Sequence, residues 1–160
     1  MNYVIIMTDI ANALEAIRQA LGSHEEVSEY IVNLDRLVCL LHEKDAARKI
    51  GGMRTFLRTY VVEHFAFEES TAFPALLAVD HHPTTRDLVA ELLKEHVVLL
   101  EDTKELNETL LQGNLNDGEY VLRVEREFRS FFGKLQRHAS KEDTIFIPLL
   151  VKYGQKEPKP

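Results

Sequence analysis

Two segments of the chain carry the same pattern of histidine and carboxylate side chains. In both, a histidine is followed four residues later by a glutamate and then directly by a second acid, as in His64, Glu68, Glu69 and in His138, Glu142, Asp143. Both segments continue with a phenylalanine, a proline and a Leu-Leu pair. Residues i and i+4 lie on one face of a helix. Each segment therefore predicts an imidazole and a carboxylate that can bind the same metal cation.

A single histidine precedes each segment at a similar distance. His24 lies 40 residues before His64, and His96 lies 42 residues before His138. In two antiparallel helices, residues equally far from the connecting turn lie at one level, and the midpoints of these separations fall in polar stretches near residues 44 and 117. We therefore expect two helical hairpins that bring the four histidines and the two glutamates together at one end of the core.

The predicted burial of the two glutamates is the main reason to expect a metal. A lone histidine on an apolar helix face is usually a hydrogen-bonded core residue, but an unpaired buried carboxylate costs several kcal/mol. No lysine or arginine lies on the apolar stripes that carry these residues. A divalent or trivalent cation offsets both negative charges, because neutral imidazole and carboxylate are its natural ligands.

The available ligand types narrow the kind of centre. The single cysteine, Cys39, cannot form an internal disulfide or a thiolate cage, so nitrogen and oxygen atoms must hold the metal. Four imidazoles and two carboxylates exceed the needs of one tetrahedral zinc and suit two ions with bridging carboxylates. Iron, manganese and zinc all remain candidates. Ferritin-like bundles use Glu-x-x-His, a spacing that is absent before His64, His96 and His138.

Composition and charge disfavour several classes of function. The 160 residues fit one domain, which at this length buries about 70% of its unfolded surface. Lysine and arginine number 19 against 26 aspartates and glutamates, and the formal net charge is −7, which disfavours binding to nucleic acid or to a membrane surface. The longest apolar runs are far shorter than the roughly 20 residues that span a bilayer, and the N-terminus lacks a basic leader. We therefore expect a cytoplasmic protein.

Four long helices are predicted to position the ligands. Apolar residues recur at spacings of three and four, which is typical of helices packed in a bundle. The apolar stripes run over residues 24–41, 50–68, 89–110 and 121–145, and polar or glycine- and proline-containing stretches separate them. Short connections imply antiparallel neighbours, so we predict an all-α fold, an up-down-up-down four-helix bundle.

A shorter helix is predicted to precede the bundle. Thr8 is a suitable N-cap and Gly22 a suitable helix stop. Ser23, followed by Glu25 and Glu26, resembles the start of a new helix, because carboxylates in the first turn suit the helix dipole. We therefore divide the chain into an accessory helix at residues 1–22, a bundle at 23–152 and a flexible tail at 153–160.

Other chemistry-bearing residues have ordinary explanations. We expect five of them to be solvated or ordinary helix residues and not extra ligands: Tyr30, His42, His81, His82 and Glu101. Two hypotheses stay open for Glu69 and Asp143. They either orient ligand histidines, whose second ring nitrogen usually needs an acceptor, or lie at the surface.

The chain resembles the hemerythrin-like HHE cation-binding family over about residues 23–151. The resemblance rests on the ordered set His24, His64-x-x-x-Glu68, His96, His138-x-x-x-Glu142, with Phe73-Pro74 closing the second helix. It implies a non-haem centre of two iron ions, bridged by Glu68 and Glu142 and by an oxo or hydroxo group. By the same resemblance His24 and His64 bind one iron, and His96 and His138 bind the other. Zinc and manganese are the alternative metals.

The resemblance also bears on the role of the centre. Oxygen carriers of this family have a fifth histidine one turn from the third, where this chain has Leu92 and Leu100, so reversible oxygen carriage is disfavoured. The four-histidine, two-glutamate set is more similar to the branch that repairs iron centres and responds to nitric oxide. We expect a protein that binds or reacts with O2, NO or peroxide, or that handles iron under oxidative or nitrosative stress.

Two alternative hypotheses remain open. The first is a sensory or interaction module without turnover, in which metal occupancy or redox state changes a partner surface. The second is a structural bundle with one metal ion or none.

Overall fold

Four long helices form the described part of the chain. The structure is a computed structural model, and it describes residues 2–39, 46–114 and 116–154. α1 spans Asn2–Cys39, α2 spans residues 46–79, α3 spans Pro83–Gln112 and α4 spans Gly118–Gly154. These residues contain no strand. The predicted all-α fold is therefore confirmed, and the helices pack as a bundle.

α2 alternates between two helical geometries. Ordinary α-helical turns at Ala46–Thr55, Val62–Phe67 and Phe73–Val79 are separated by wider π-helical turns at Phe56–Val61 and Glu68–Ala72. In the second wide turn, the N–H of Phe73 donates to the carbonyl of Glu68, five residues earlier. π-helical turns are uncommon and often lie at functional sites. The sequence pattern did not predict them.

The predicted helix end at Gly22 is wrong, because α1 continues through this residue. The buried residues Ala13, Ile17, Ala20 and Val27 follow one helix face across that point, and Gly22 faces solvent. A single glycine inside a helix costs about 1 kcal/mol, which is less than the apolar burial that a break would lose. The predicted boundary between residues 22 and 23 therefore coincides with no helix end.

Two apolar clusters fill the interior, and each draws on all four helices. The first includes Val27, Phe56, Leu106 and Phe128, and the second includes Ile17, Phe73, Leu92 and Phe146. Along each helix the predicted ligands lie close to the point where one cluster gives way to the other. The prediction that they gather at one end of the core is wrong, because the unbroken α1 extends past Gly22 and adds its apolar face to the second cluster.

The apolar stripes and connecting loops predicted for α3 and α4 are largely observed. The α3 stripe from Val89 to Leu110 is buried, as is the α4 stripe from Val121 to Glu142. The connection at residues 80–82 and the end of α3 at Gln112 lie where the sequence predicted loops. The first two residues of the predicted flexible tail belong to α4, and Tyr153 packs against the second cluster. His42 and residues 155–160 lie outside the described residues, so flexibility of the remaining tail stays a prediction. None of the described helices has both the length and the apolar character needed to cross a bilayer.

We predict that Gly22→Ala stabilises the protein by about 0.5–1 kcal/mol, because alanine is the better residue inside a helix. A Cβ at Gly22 would meet no neighbouring atom within 4 Å. Chemical denaturation measures the change in the free energy of unfolding. Gly113→Ala is the control and should lower the free energy of unfolding, since its Cβ would lie 1.7 Å from the ring of Tyr120. A loss of stability in Gly22→Ala would contradict the continuous α1.

Candidate metal centre

The six predicted ligands meet at one level of the bundle. Their side chains come from all four helices, and every residue is at most 7% exposed. The structure brings them together as two overlapping groups of four, and within each group one potential ligand atom per residue lies within 4.8 Å of the others. The groups are His24, His64, Glu68, Glu142 and Glu68, His96, His138, Glu142. Both glutamates belong to both groups.

Glu68 faces histidines of both groups. Its Oε1 lies 3.1 Å from Nε2 of His64 and 3.2 Å from Nε2 of His24. Its Oε2 lies 3.4 Å from Nε2 of His96. One carboxylate oxygen is therefore directed at each group.

Glu142 has the same arrangement from the opposite helix. Its Oε2 lies 3.0 Å from Nε2 of His24. Its Oε1 lies 3.0 Å from Nε2 of His138 and 3.6 Å from Nε2 of His96. Two carboxylates that each direct one oxygen to each group have the donor arrangement that suits a pair of cations.

The outer ring nitrogens of three histidines are hydrogen-bonded to carboxylates. The Nδ1–H of His24 donates to Asp143 at 3.1 Å. The Nδ1–H groups of His96 and His138 donate to Glu69 and Glu95, respectively, each at 2.9 Å. An Nδ1–H held in this way turns the lone pair of Nε2 toward the centre. Glu69 and Asp143 thus accept hydrogen bonds from histidines, as the first hypothesis expects, and both also lie at the surface, with side chains 44% and 39% exposed.

Glu95 is a member of the site that the sequence interpretation missed. It stands directly before His96, so the register that levels His96 with His138 also brings Glu95 to that level. Lys141 donates to Glu95 and, at 2.6 Å, to Glu91. Partial burial alone would raise the pKa of Glu95, but the hydrogen bonds from Lys141 and His138 outweigh it and lower the pKa. Glu95 is thus held as a charged acceptor.

The histidines supply the positive charge that the buried glutamates require. Burial alone would lower the pKa of His24, but the nearby carboxylates of Glu142 and Glu68 outweigh it and raise the pKa to about 10. The same balance raises the pKa of His96 to about 9. In return, the histidines overcome the effect of burial and lower the pKa of Glu68 to about 2 and that of Glu142 below its usual range.

Several buried polar atoms of the site lack a hydrogen bond, and this tests whether a metal fits. Among the described residues, no hydrogen-bond partner is found for Oε2 of Glu68, both carboxylate oxygens of Glu142 and Nδ1 of His64. The three oxygens lie near imidazole nitrogens without the geometry of a hydrogen bond. Buried polar groups of this kind normally have a partner. A cation between the glutamates would satisfy all three oxygens, so the residues fit a metal.

Aromatic rings form the walls of the site. Phe65 stacks on His96 with ring centroids 4.1 Å apart and an angle of 12° between the planes. Phe73 lies 5.7 Å from His96, and Phe146 lies 6.2 Å from His24. Phe73 and Phe146 are the phenylalanines that follow the two repeated motifs. Apolar walls exclude water and strengthen electrostatic interactions inside the site.

The other chemistry-bearing residues have different surroundings in the described structure. His81 and His82 are exposed, and His82 is hydrogen-bonded to Thr84 at 2.7 Å. Tyr30 donates to the hydroxyl of Tyr60 at 3.0 Å, and Glu101 accepts from Lys104 at 3.3 Å. None of these residues belongs to the described groups of potential ligands.

Comparison with known families identifies the family of the chain. The family model of the hemerythrin HHE cation binding domain matches residues 8–150. The chain belongs to the hemerythrin HHE cation-binding family. No curated protein and no solved structure matches it significantly. Membership in the HHE family implies binding of a metal cation, and the buried histidines and glutamates fit such a site. The HHE match starts before Gly22 and so includes part of the segment predicted as an accessory helix.

We predict that metal binding to this HHE domain releases about two protons per chain at pH 7, because bound imidazoles must be neutral. The raised pKa values of His24 and His96, about 10 and about 9, mean that both are protonated at pH 7 before the metal binds. The apparent affinity should rise about tenfold per pH unit for each released proton up to these pKa values. Calorimetric titration in buffers of different ionisation enthalpy counts the protons. An affinity independent of pH between 7 and about 9 would contradict these protonation states.

Proposed function

We propose that this HHE domain is a non-haem di-iron protein. Glu68 and Glu142 would be shared by both ions, with His24 and His64 on one ion and His96 and His138 on the other. The observation that carries the proposal is the direction of the two carboxylates, each of which turns one oxygen toward each group of histidines. A single ion would use only one of the two groups.

The proposed helix order is up-down-up-down. The first apolar cluster draws on the later parts of α1 and α3 and mainly the earlier parts of α2 and α4, and the second cluster draws on the opposite parts. This distribution is expected when each helix runs antiparallel to the next. Such an order supports the pairing of ligands within each hairpin.

The proposed role is to bind or react with O2, NO or peroxide, or to handle iron under oxidative or nitrosative stress. Iron bound in the site would supply redox chemistry and positions for a small ligand. The chain itself would hold the ions through the six inner side chains, keep three histidines oriented through outer carboxylates and exclude water with Phe65, Phe73 and Phe146.

Two leucines favour reaction with oxygen over its reversible carriage. Leu92 and Leu100 lie one turn to either side of His96, and Leu92 is fully buried in the second apolar cluster. Neither side chain offers a donor atom. A fifth histidine is therefore missing from both positions where the oxygen carriers of the family would have one.

The proposed centre predicts two iron ions per chain. Anaerobic Fe²⁺ titration should reach a plateau near two, and each ion present at 100 times its Kd should add about 2.7 kcal/mol of stability, or roughly 5–10 °C in Tm. Elemental analysis and thermal melting measure both quantities. Glu68→Gln and His24→Ala should lose iron, whereas the matched controls Glu101→Gln and His81→Ala should retain two ions. A plateau at one ion or none would contradict the proposal.

A second prediction concerns oxygen. Because Leu92 and Leu100 provide no fifth imidazole, exposure of the reduced, iron-loaded protein to oxygen should oxidise it. Removing oxygen should then fail to restore the reduced spectrum. Stopped-flow absorbance with a subsequent argon purge measures this. Full recovery of the reduced spectrum after the purge would instead indicate a reversible carrier.

A further inference from the structure

The two halves of the proposed centre differ in their outer hydrogen bonds. Both histidines of one half, His96 and His138, donate Nδ1–H to a carboxylate at 2.9 Å. In the other half, His24 does so at 3.1 Å. The buried Nδ1 of His64, in contrast, has no hydrogen-bond partner among the residues that the structure describes. One of four outer hydrogen bonds is therefore missing.

The internal repeat identifies the missing acceptor. In the second half of the chain, Glu95 accepts from His138 and is held by Lys141. Glu95 directly precedes the single histidine of its hairpin, and the residue in the same position of the first half is Ser23. Lys141 directly precedes a bridging glutamate, and its counterpart is Phe67. Both members of the outer ion pair are thus replaced in the first half.

This difference matters most when a cation binds. An imidazole that binds a metal through Nε2 carries its proton on Nδ1. Without a metal, His64 can keep its proton on Nε2, which lies 3.1 Å from Glu68. Metal binding would move the proton to a buried nitrogen without an acceptor. At the other three histidines a carboxylate is already in place.

We propose that the two halves have unequal affinity for metal. The half with His96 and His138 binds its cation first and retains it, whereas the half with His24 and His64 exchanges its cation. Outer hydrogen-bond partners of ligand histidines typically change metal affinity by about 10–100-fold, and we expect a gap of that size. This inference rests on the proposed two-ion centre.

Titration of the metal-free full chain with Co²⁺, followed by calorimetry and visible absorption, measures the two affinities. Two steps are expected, with Kd values about 10–100-fold apart. His64→Ala should remove the weaker step and leave the tighter one, and His138→Ala should do the opposite. Repulsion between two nearby cations would also separate the steps, but it would not assign them to different halves.

Variants of the outer acceptors separate the effect of the outer hydrogen bonds from that of repulsion between the two cations. Ser23→Glu restores a carboxylate at the missing position and should tighten the weaker step by about tenfold, whereas Glu95→Gln should weaken the tighter step by about tenfold. Ser28→Glu is the matched control, because it adds the same charge at an exposed position one turn beyond His24. It should change neither step selectively.

The possible outcomes separate this inference from the proposed function. Two equal binding steps, or an effect of Glu95→Gln on the weaker step alone, would overturn the inequality and leave the two-ion centre intact. Binding of fewer than two Co²⁺ ions by the unaltered chain would contradict the proposed function itself. Circular dichroism of each metal-free variant checks its fold. If Glu95→Gln does not fold, a Ser23→Glu variant without a tighter second step would still overturn the inference.

Discussion

Two buried carboxylates determine how this protein is organised. Glu68 and Glu142 are fully buried, and the ion-pair partners that the structure gives them are all histidines. A buried carboxylate without compensation costs several kcal/mol, so positive charge must lie between the helices. Protons on the histidines supply it in the absence of metal, and a bound cation supplies it otherwise. The same atoms that balance the buried charge therefore form the candidate metal site.

The surrounding structure keeps this polar centre within an apolar interior. One apolar cluster lies on each side of it, and phenylalanine rings separate it from water. Outer carboxylates at the edge, which are partly exposed, fix the rings of three histidines without adding fully buried charge. The internal repeat places these groups nearly symmetrically. Ser23 departs from that symmetry, and it makes chemically unequal halves from two similar hairpins.

The clustering of the six candidate ligands could be predicted from sequence because their positions follow from simple geometry, namely the i, i+4 helix face and the level of residues in a hairpin. The continuous α1 could not, because the local cost of Gly22 is outweighed by apolar contacts with distant residues. The π-helical turn at Glu68–Ala72 was not predicted either. Glu95 was missed because it lies beside the apolar stripe of α3, although the hairpin register contained the signal.

The two-ion centre is tested most directly by anomalous diffraction at the iron absorption edge, recorded from crystals of the iron-loaded chain. We expect two peaks about 3.5–4 Å apart, both next to Glu68 and Glu142. One peak should lie beside His24 and His64, and the other beside His96 and His138. A single peak, or peaks that touch only one of the two glutamates, would contradict a centre that both carboxylates share.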